Sequence, residues 1–264
     1  MALPFVAPAS LDSSFTISRP TSRDVDALAE VYYESFLTDP GNTYWWSPDS
    51  EAMMDWLRHR IWTKMADRNV RHFQVVDQKH KAVVAFARWD IPKGYETQFG
   101  EWASDDDALD VSRVVADNGS EQPATTTTAA VMAAPVEEAE PAAAKTVAGP
   151  RGADPELCQN LFAILASLSK KWEAEQMLGL SLLCTSPAYH RRGAAKALLA
   201  PMLAIADAAG LRSYLEATPA GRPIYEKLGF RTVEVKEFDL DALTGGKMKG
   251  FYKLSIMIRE PQAP

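Results

Sequence analysis

The chain is poor in cysteine and histidine, with two of the first and four of the second in 264 residues. Cys158 and Cys184 are too few for a disulfide framework. His59, His72, His80 and His190 are scattered, and no pair has metal-ligand spacing, so no metal site is expected. A surplus of basic charge is also missing. Lys and Arg number 28 against 35 Asp and Glu, a net charge of −7, which argues against general nucleic-acid or membrane-surface binding. No apolar run approaches the roughly 20 residues that cross a bilayer. The opening "MALPFVAPASLDSSF" lacks a basic start followed by an apolar stretch, so it does not read as a secretory leader. The expectation is a cytoplasmic protein in a reducing compartment.

What remains is an ordinary globular composition, 47% hydrophobic and 24% charged, at a length that suits one large domain or two small ones. "SFTISRP" alternates as a short strand, and Thr21-Ser22-Arg23-Asp24 has the form of a capping box. Val25, Leu28, Ala29, Tyr32 and Phe36 follow at helical spacing. Pro40-Gly41 reads as a loop, and Ser47-Pro48 as the start of a second helix to about Asp67. "VRHFQVV" and "AVVAFARWDI" read as a hairpin. From about 104 to 152 the text turns acidic and rich in Ala, Thr and Pro. So few large apolar residues cannot offset ordering entropy, and a mostly disordered insertion is expected.

Leu157, Leu161, Ile164, Leu165, Leu168 and Trp172 then form one helical stripe. "MLGLSLLCT" reads as a central strand buried on both faces. Leu198, Met202, Ile205 and Ala209 mark a helix ending near Gly210. "RSYLEA" reads as a strand, Pro223 to Leu228 as a short helix, and "FRTVEVKEFDL" and "FYKLSIMIR" as two closing strands. The order predicts a mixed α/β domain around one sheet.

Between the central strand and its following helix lies "CTSPAYHRRGAAKALL". A helix N-terminus offers unpaired N–H groups and partial positive charge, so basic residues around a glycine there suit a phosphate, although a solvated basic turn reads the same from these residues alone. The Gly-x-x-x-x-Gly-Lys-Ser/Thr and Gly-x-Gly-x-x-Gly phosphate loops are both absent. What stands there instead is Arg-Arg-Gly-Ala-Ala. "LSLLCTSPAYHRRGAAKALL" resembles the acetyl-CoA motif of the GNAT superfamily of N-acetyltransferases, whose core is Gln/Arg-x-x-Gly-x-Gly/Ala. "PIYEKLGF", Pro223 to Phe230, resembles that family's Tyr-(three residues)-Gly-Phe segment at the family's separation. The likeness covers roughly Leu180 to Phe230 and is nearest in character to the branch of puromycin acetyltransferase and its small-molecule-acetylating relatives.

The resemblance implies a GNAT fold for the whole chain as one domain, 1–264: a single mixed sheet flanked by helices and splayed at the acetyl-CoA strand. It implies acetyl-CoA as donor, its pantetheine arm along Leu183, Cys184 and Thr185. Backbone N–H groups of Arg191, Arg192, Gly193, Ala194, Ala195 and Lys196 would cradle the diphosphate, with Arg192 and Lys196 adding charge. His190 stands where the family usually has Gln or Arg, and Thr218 where many members carry Asn. Tyr225 matches the tyrosine that returns a proton to the departing thiolate; a core tyrosine with a satisfied hydroxyl is the structural alternative. Cys184 reads as a small core residue and not a nucleophile.

The general base stays open among Glu216, Glu34 and water. The acceptor is expected against the aromatic cluster Tyr32, Tyr33, Phe36, Tyr44, Trp45 and Trp46, with Tyr33, Phe36, Trp45 and Trp46 as binding residues; core packing accounts for part of that cluster. The expected activity is direct acetyl transfer to a small-molecule amine by a monomer or homodimer. The alternatives are transfer to a protein lysine or N-terminus, or an acyl-CoA sensor without catalysis.

Overall fold

The alternating start forms the first strand. In this computed structural model, which describes residues 3–9, 11–100 and 149–263, β1 spans Phe15–Ser18. The capping box forms as expected: Asp24 Oδ2 accepts the Thr21 N–H at 2.7 Å, and Thr21 Oγ1 accepts the Arg23 N–H at 3.3 Å. α1 follows as Val25–Phe36 and buries Val25, Leu28, Ala29, Val31 and Tyr32.

Two local expectations shift. Pro40-Gly41 opens a four-residue helix, α2 (Pro40–Thr43), and not a plain loop, because Pro40 takes a first-turn position where its missing N–H costs nothing. α3 spans Ser50–Met65, and its cap is Asp49. Asp49 Oδ1 accepts the N–H groups of Glu51 and Ala52 at 3.0 and 3.2 Å, while Ser47 donates to the Arg151 carbonyl at 2.7 Å.

β2 (Val70–Asp77) and β3 (Ala82–Asp90) form the expected hairpin. Most of the insertion expected at about 104–152 lies outside the described residues. Its end, residues 149–152, lies against the domain, with Pro150 buried and Arg151 held by Ser47. Next come α4 (Pro155–Lys171), β4 (Leu178–Thr185), α5 (Ala194–Ala208) and β5 (Ser213–Ala217). α6 (Arg222–Lys227), β6 (Arg231–Asp239), α7 (Leu240–Leu243) and β7 (Phe251–Arg259) complete the chain.

Among the described residues seven strands join in one mixed sheet, in the order β1-β2-β3-β4-β5-β7-β6. Among these strands only β4 and β5 pair in parallel. One core lies between the sheet and α5, around Phe73, Trp89, Leu198, Met202 and Met257. The other lies on the opposite face beneath α1, α3 and α4, around Leu28, Met53, Leu57 and Phe86. Arg259 ties three elements together. It holds both oxygens of Asp207 on α5, at 2.6 and 2.8 Å, and the Leu228 carbonyl just past α6 at 2.7 Å. Broken buried pairs of this kind cost about 3–5 kcal/mol, so α6 has a firm footing.

β4 corrects the reading of a strand buried on both faces. Leu178, Leu180, Leu182 and Cys184 are buried, whereas Gly179, Ser181, Leu183 and Thr185 are half-open, because the neighbouring strand turns away. A bulge at Ser181 adds to this. Arg88 pairs with Leu182 and Trp89 with Leu180, so Ser181 has no opposite residue. Past the bulge the side chains exchange faces: Leu178 and Leu180 serve the α5 core, Leu182 and Cys184 the α1 core.

Candidate active site

Parallel pairing of β4 with β5 ends at Leu180–Leu215. Beyond that rung β4 stays with β3 out to Thr185–Ala85, and β5 stays with β7 out to Ala217–Ser255. The two central strands diverge, and a cleft of about 680 Å³ opens between them. It draws on both cores. Leu183, Tyr189, Ile224 and Tyr225 line it from the α5 side, and Tyr32, Phe36, Tyr44 and Tyr252 from the α1 side. The cleft therefore passes through the sheet and offers two approaches.

The α5 end is a helix N-terminus with strained backbone. Arg191 has φ 64° and Gly193 has φ 83°, the left-handed region that costs a side-chain-bearing residue of order 1 kcal/mol or more. Gly193 takes that conformation freely and caps α5. The first helical bond runs from the Ala197 N–H to the Gly193 carbonyl at 3.0 Å. The N–H groups of Ala194, Ala195 and Lys196 therefore precede the ladder and have no intrahelical acceptor. Gly193, Ala194, Ala195, Lys196, Arg191 and His190 all line the cleft. His190 Nε2 lies 2.9 Å from the Thr185 carbonyl; a carbonyl only accepts, so Nε2 carries the proton and ties the turn to the strand end.

Arg192 points elsewhere. It meets Asp12 at 3.2 Å and lies over the Phe15 ring at 4.3 Å, outside the cleft lining. Its guanidinium holds the N-terminal segment. Leu183 and Thr185 line the cleft, while Cys184 turns into the α1 core at 1% exposure, where burial pushes its thiol well up. That thiol is a core group.

Tyr225 stands on α6 and lines the cleft, its ring packed edge-on against Phe230 at 6.0 Å. Burial, with a smaller push from Cys184, raises its phenol above the ordinary value of 10. The proton stays on at neutral pH. Thr218 also lines the cleft, and its Oγ1 accepts the Gly221 N–H at 3.1 Å. Glu216, at the end of β5, lines the cleft as well. Burial raises its carboxyl, although the Tyr214 hydroxyl donates to Oε1 at 2.7 Å. Glu34 is exposed, accepts from Ser186 at 2.9 Å and lies outside the lining.

The aromatic cluster divides. Tyr32, Phe36 and Tyr44 line the cleft. Trp45 is buried, edge-on to Trp56 and Phe162 at 5.5 Å, and Tyr33 stacks on the buried Trp46 at 5.5 Å and 18°. Tyr33, Trp45 and Trp46 therefore build core beneath α1, α3 and α4 and do not face the cleft. Sequence reasoning missed Phe238 and Tyr252, register partners on β6 and β7 whose rings lie 6.3 Å apart and complete the wall. The alternation of those strands marks them as buried without marking which face opens on a cleft.

Among the described residues no group of His, Cys, Asp or Glu could hold a metal ion, and no helix is long and apolar enough to cross a membrane.

Residues 166–249 match the family model described as an acetyltransferase (GNAT) domain. No curated protein sequence matches the chain. Among solved structures, the fold is similar to "histone acetyltransferase HPA2 and related acetyltransferase" from Corynebacterium glutamicum. That match has 19% identity and a TM-score of 0.51, over 95% of this chain and 98% of that one. An N-acetyltransferase from Staphylococcus aureus matches at 13% identity and TM-score 0.49, over 95% and 100% of the two chains. The ribosomal-protein-S18-alanine N-acetyltransferase of Escherichia coli matches at 14% and 0.46, over 95% and 96%. The stretch that matches the GNAT acetyltransferase domain, 166–249, holds the diverging strand, the Gly193 turn and Tyr225.

Proposed function

We propose that the protein transfers an acetyl group from acetyl-CoA directly to the amine of a small molecule. One observation carries the reading: the diverging β4 backbone, the free N–H groups at the start of α5 and the Tyr225 hydroxyl line one cleft. The N–H groups of Ala194, Ala195 and Lys196 suit the donor's diphosphate, with Lys196 and Arg191 adding charge. Gly193 lets the backbone approach closely. Beyond Leu180 the β4 edge that faces β5 has no strand partner, which leaves backbone groups for the amide-rich pantetheine arm.

The chemistry follows from these positions. The amine nitrogen attacks the thioester carbon, the C–N bond forms, and the oxygen charge is met by a β4 N–H near Cys184. The C–S bond then breaks, and the Tyr225 hydroxyl gives its proton to the sulfur. The attacking amine's proton passes to Glu216, whose carboxyl burial raises above the ordinary value, or to water. Proton balance closes when solvent returns a proton to Tyr225. The apolar and aromatic side chains that α1, α2, α4, β6 and β7 bring to the far end suit a small acceptor.

The test is the appearance of free CoA thiol together with N-acetyl product when acetyl-CoA and a panel of primary amines are supplied. Product that forms only with peptides would replace the small-molecule reading. Tight CoA binding with no product from any amine or peptide would favour the sensor.

A further inference from the structure

Rings build the acceptor end of the cleft. Tyr44, Phe238 and Tyr252 form one run, with centroids 6.3 Å apart at each step. Tyr32 and Phe36 form a second pair at 5.4 Å and 66°. Leu161 and Leu165 of α4 and Leu254 of β7 fill the space between. Gly41 of α2 also lines this end, and a Cβ there would collide with the Tyr252 ring, so α2 sits directly on that ring.

Charge along the cleft is segregated. The basic lining residues His190, Arg191, Lys196 and Lys227 come from the turn after β4, the start of α5 and the end of α6. The α1, α2, α4, β6 and β7 lining residues include no cation. Among the described residues, the one acidic residue in the lining is Glu216. A second carboxylate, Asp39, lies behind this wall and is hydrogen-bonded by the Tyr252 hydroxyl. An anionic substituent would meet no cation in the lining at this end and would face Glu216, with Asp39 behind Tyr252; the guanidinium of Arg88 is buried behind Tyr32 and holds Ser181. An apolar ring would find edge-on and face-on partners on both walls.

We infer that the acceptor is a primary amine carried on an apolar, ring-containing body without an acidic group, with Tyr252, Phe238, Tyr44 and Phe36 as specificity-determining residues. The inference rests on the transfer reading above. Ser35 and Asn42 supply polar contacts at the rim for a neutral hydroxyl or ether on the ring.

The test compares benzylamine, propylamine and 4-(aminomethyl)benzoate in the full-length protein, by turnover and by calorimetric binding to the CoA-saturated protein. Benzylamine should exceed propylamine in kcat/KM by about tenfold or more, and the benzoate by on the order of 10²-fold or more. Phe36→Ala, at a half-buried position on α1, should narrow the benzylamine advantage while acetyl-CoA affinity stays the same; Tyr252→Ala should do so more strongly. Equal kcat/KM for the three amines, or a preference for the benzoate, overturns the inference and leaves the transfer reading standing. Selective binding of benzylamine without product supports the inference and overturns transfer. Neither selective binding nor product overturns both.

Discussion

Arg88 clamps Ser181 from the adjacent strand: its Nε donates to Ser181 Oγ at 2.9 Å and its Nη2 to the Ser181 carbonyl at 3.4 Å. Ser181 is the bulged residue of β4, and Arg88 is 3% exposed. Among the described residues no carboxylate forms an ion pair with Arg88, and its Nη1 has no hydrogen-bond partner. A buried guanidinium in that state costs stability, and its return is the shape of β4 where the sheet opens. Arg88→Met should leave the unfolding free energy within about 1 kcal/mol, or raise it, because an unpaired charge leaves the core. Acetyl-CoA affinity should fall by about tenfold as the bulge relaxes. Urea denaturation and calorimetry read the two effects separately. A variant that loses several kcal/mol and binds acetyl-CoA as before would make the clamp purely structural.

Gly221 sets the position of Tyr225. A Cβ at residue 221 would lie 3.1 Å from Tyr225 Cε2 and 3.3 Å from Thr218 Oγ1. Its φ of −80° suits any residue, so a methyl group there acts by crowding alone. Gly221→Ala should shift the ring by a few tenths of an ångström and lower kcat by about tenfold, with little change in melting temperature. An unchanged kcat would show that the ring has slack.

Gly41 does the same for the acceptor wall. Because a Cβ there meets the Tyr252 ring, Gly41→Ala must displace either that ring or α2. KM for the amine should rise about tenfold while the affinity for acetyl-CoA stays within twofold. If both constants moved together, the two ends of the cleft would be coupled.

His72 makes the fold sensitive to acid. It is 1% exposed, and burial, then the nearby Arg88 charge, holds its imidazole down to about 3. The unfolded chain takes up a proton near pH 6.5, whereas the folded chain does not until about pH 3. Stability is therefore full above about pH 6.5 and lost as pH falls through that window, by up to about 1.4 kcal/mol per unit. His72→Phe should flatten this dependence between pH 7 and 5 in urea titrations. An equal slope in both proteins would assign the acid sensitivity to other groups.

The sheet, the Gly193 turn and Tyr225 were legible because each rests on a short, local pattern. An apolar run, a glycine at a helix start and a Tyr-x-x-x-Gly-Phe segment keep their meaning wherever they sit. The acceptor wall was only half legible. Tyr33 and Phe36 lie three residues apart on α1, yet Tyr33 stacks on Trp46 and Phe36 lines the cleft. Which ring turns outward depends on α3, α4 and β7, elements far off in the chain. Phe238 and Tyr252 enter the site only through the register of two late strands. The bulge at Ser181 left no mark either, since a continuous apolar run reads the same with or without one. Arg192 illustrates the reverse case: its place beside Gly193 suggests a phosphate ligand, but Asp12 and Phe15 hold it.

The most direct measurement is the turnover of Tyr225→Phe at saturating acetyl-CoA from pH 6 to 9, beside its affinity for CoA. The change removes one hydroxyl and almost no volume, so affinity should hold within about twofold while kcat falls by roughly 10²–10⁴. Because burial raises the phenol above its ordinary value, the parent should show no loss of rate from Tyr225 ionisation anywhere in that range. A Tyr225→Phe protein that turns over at the parent rate throughout would contradict the account.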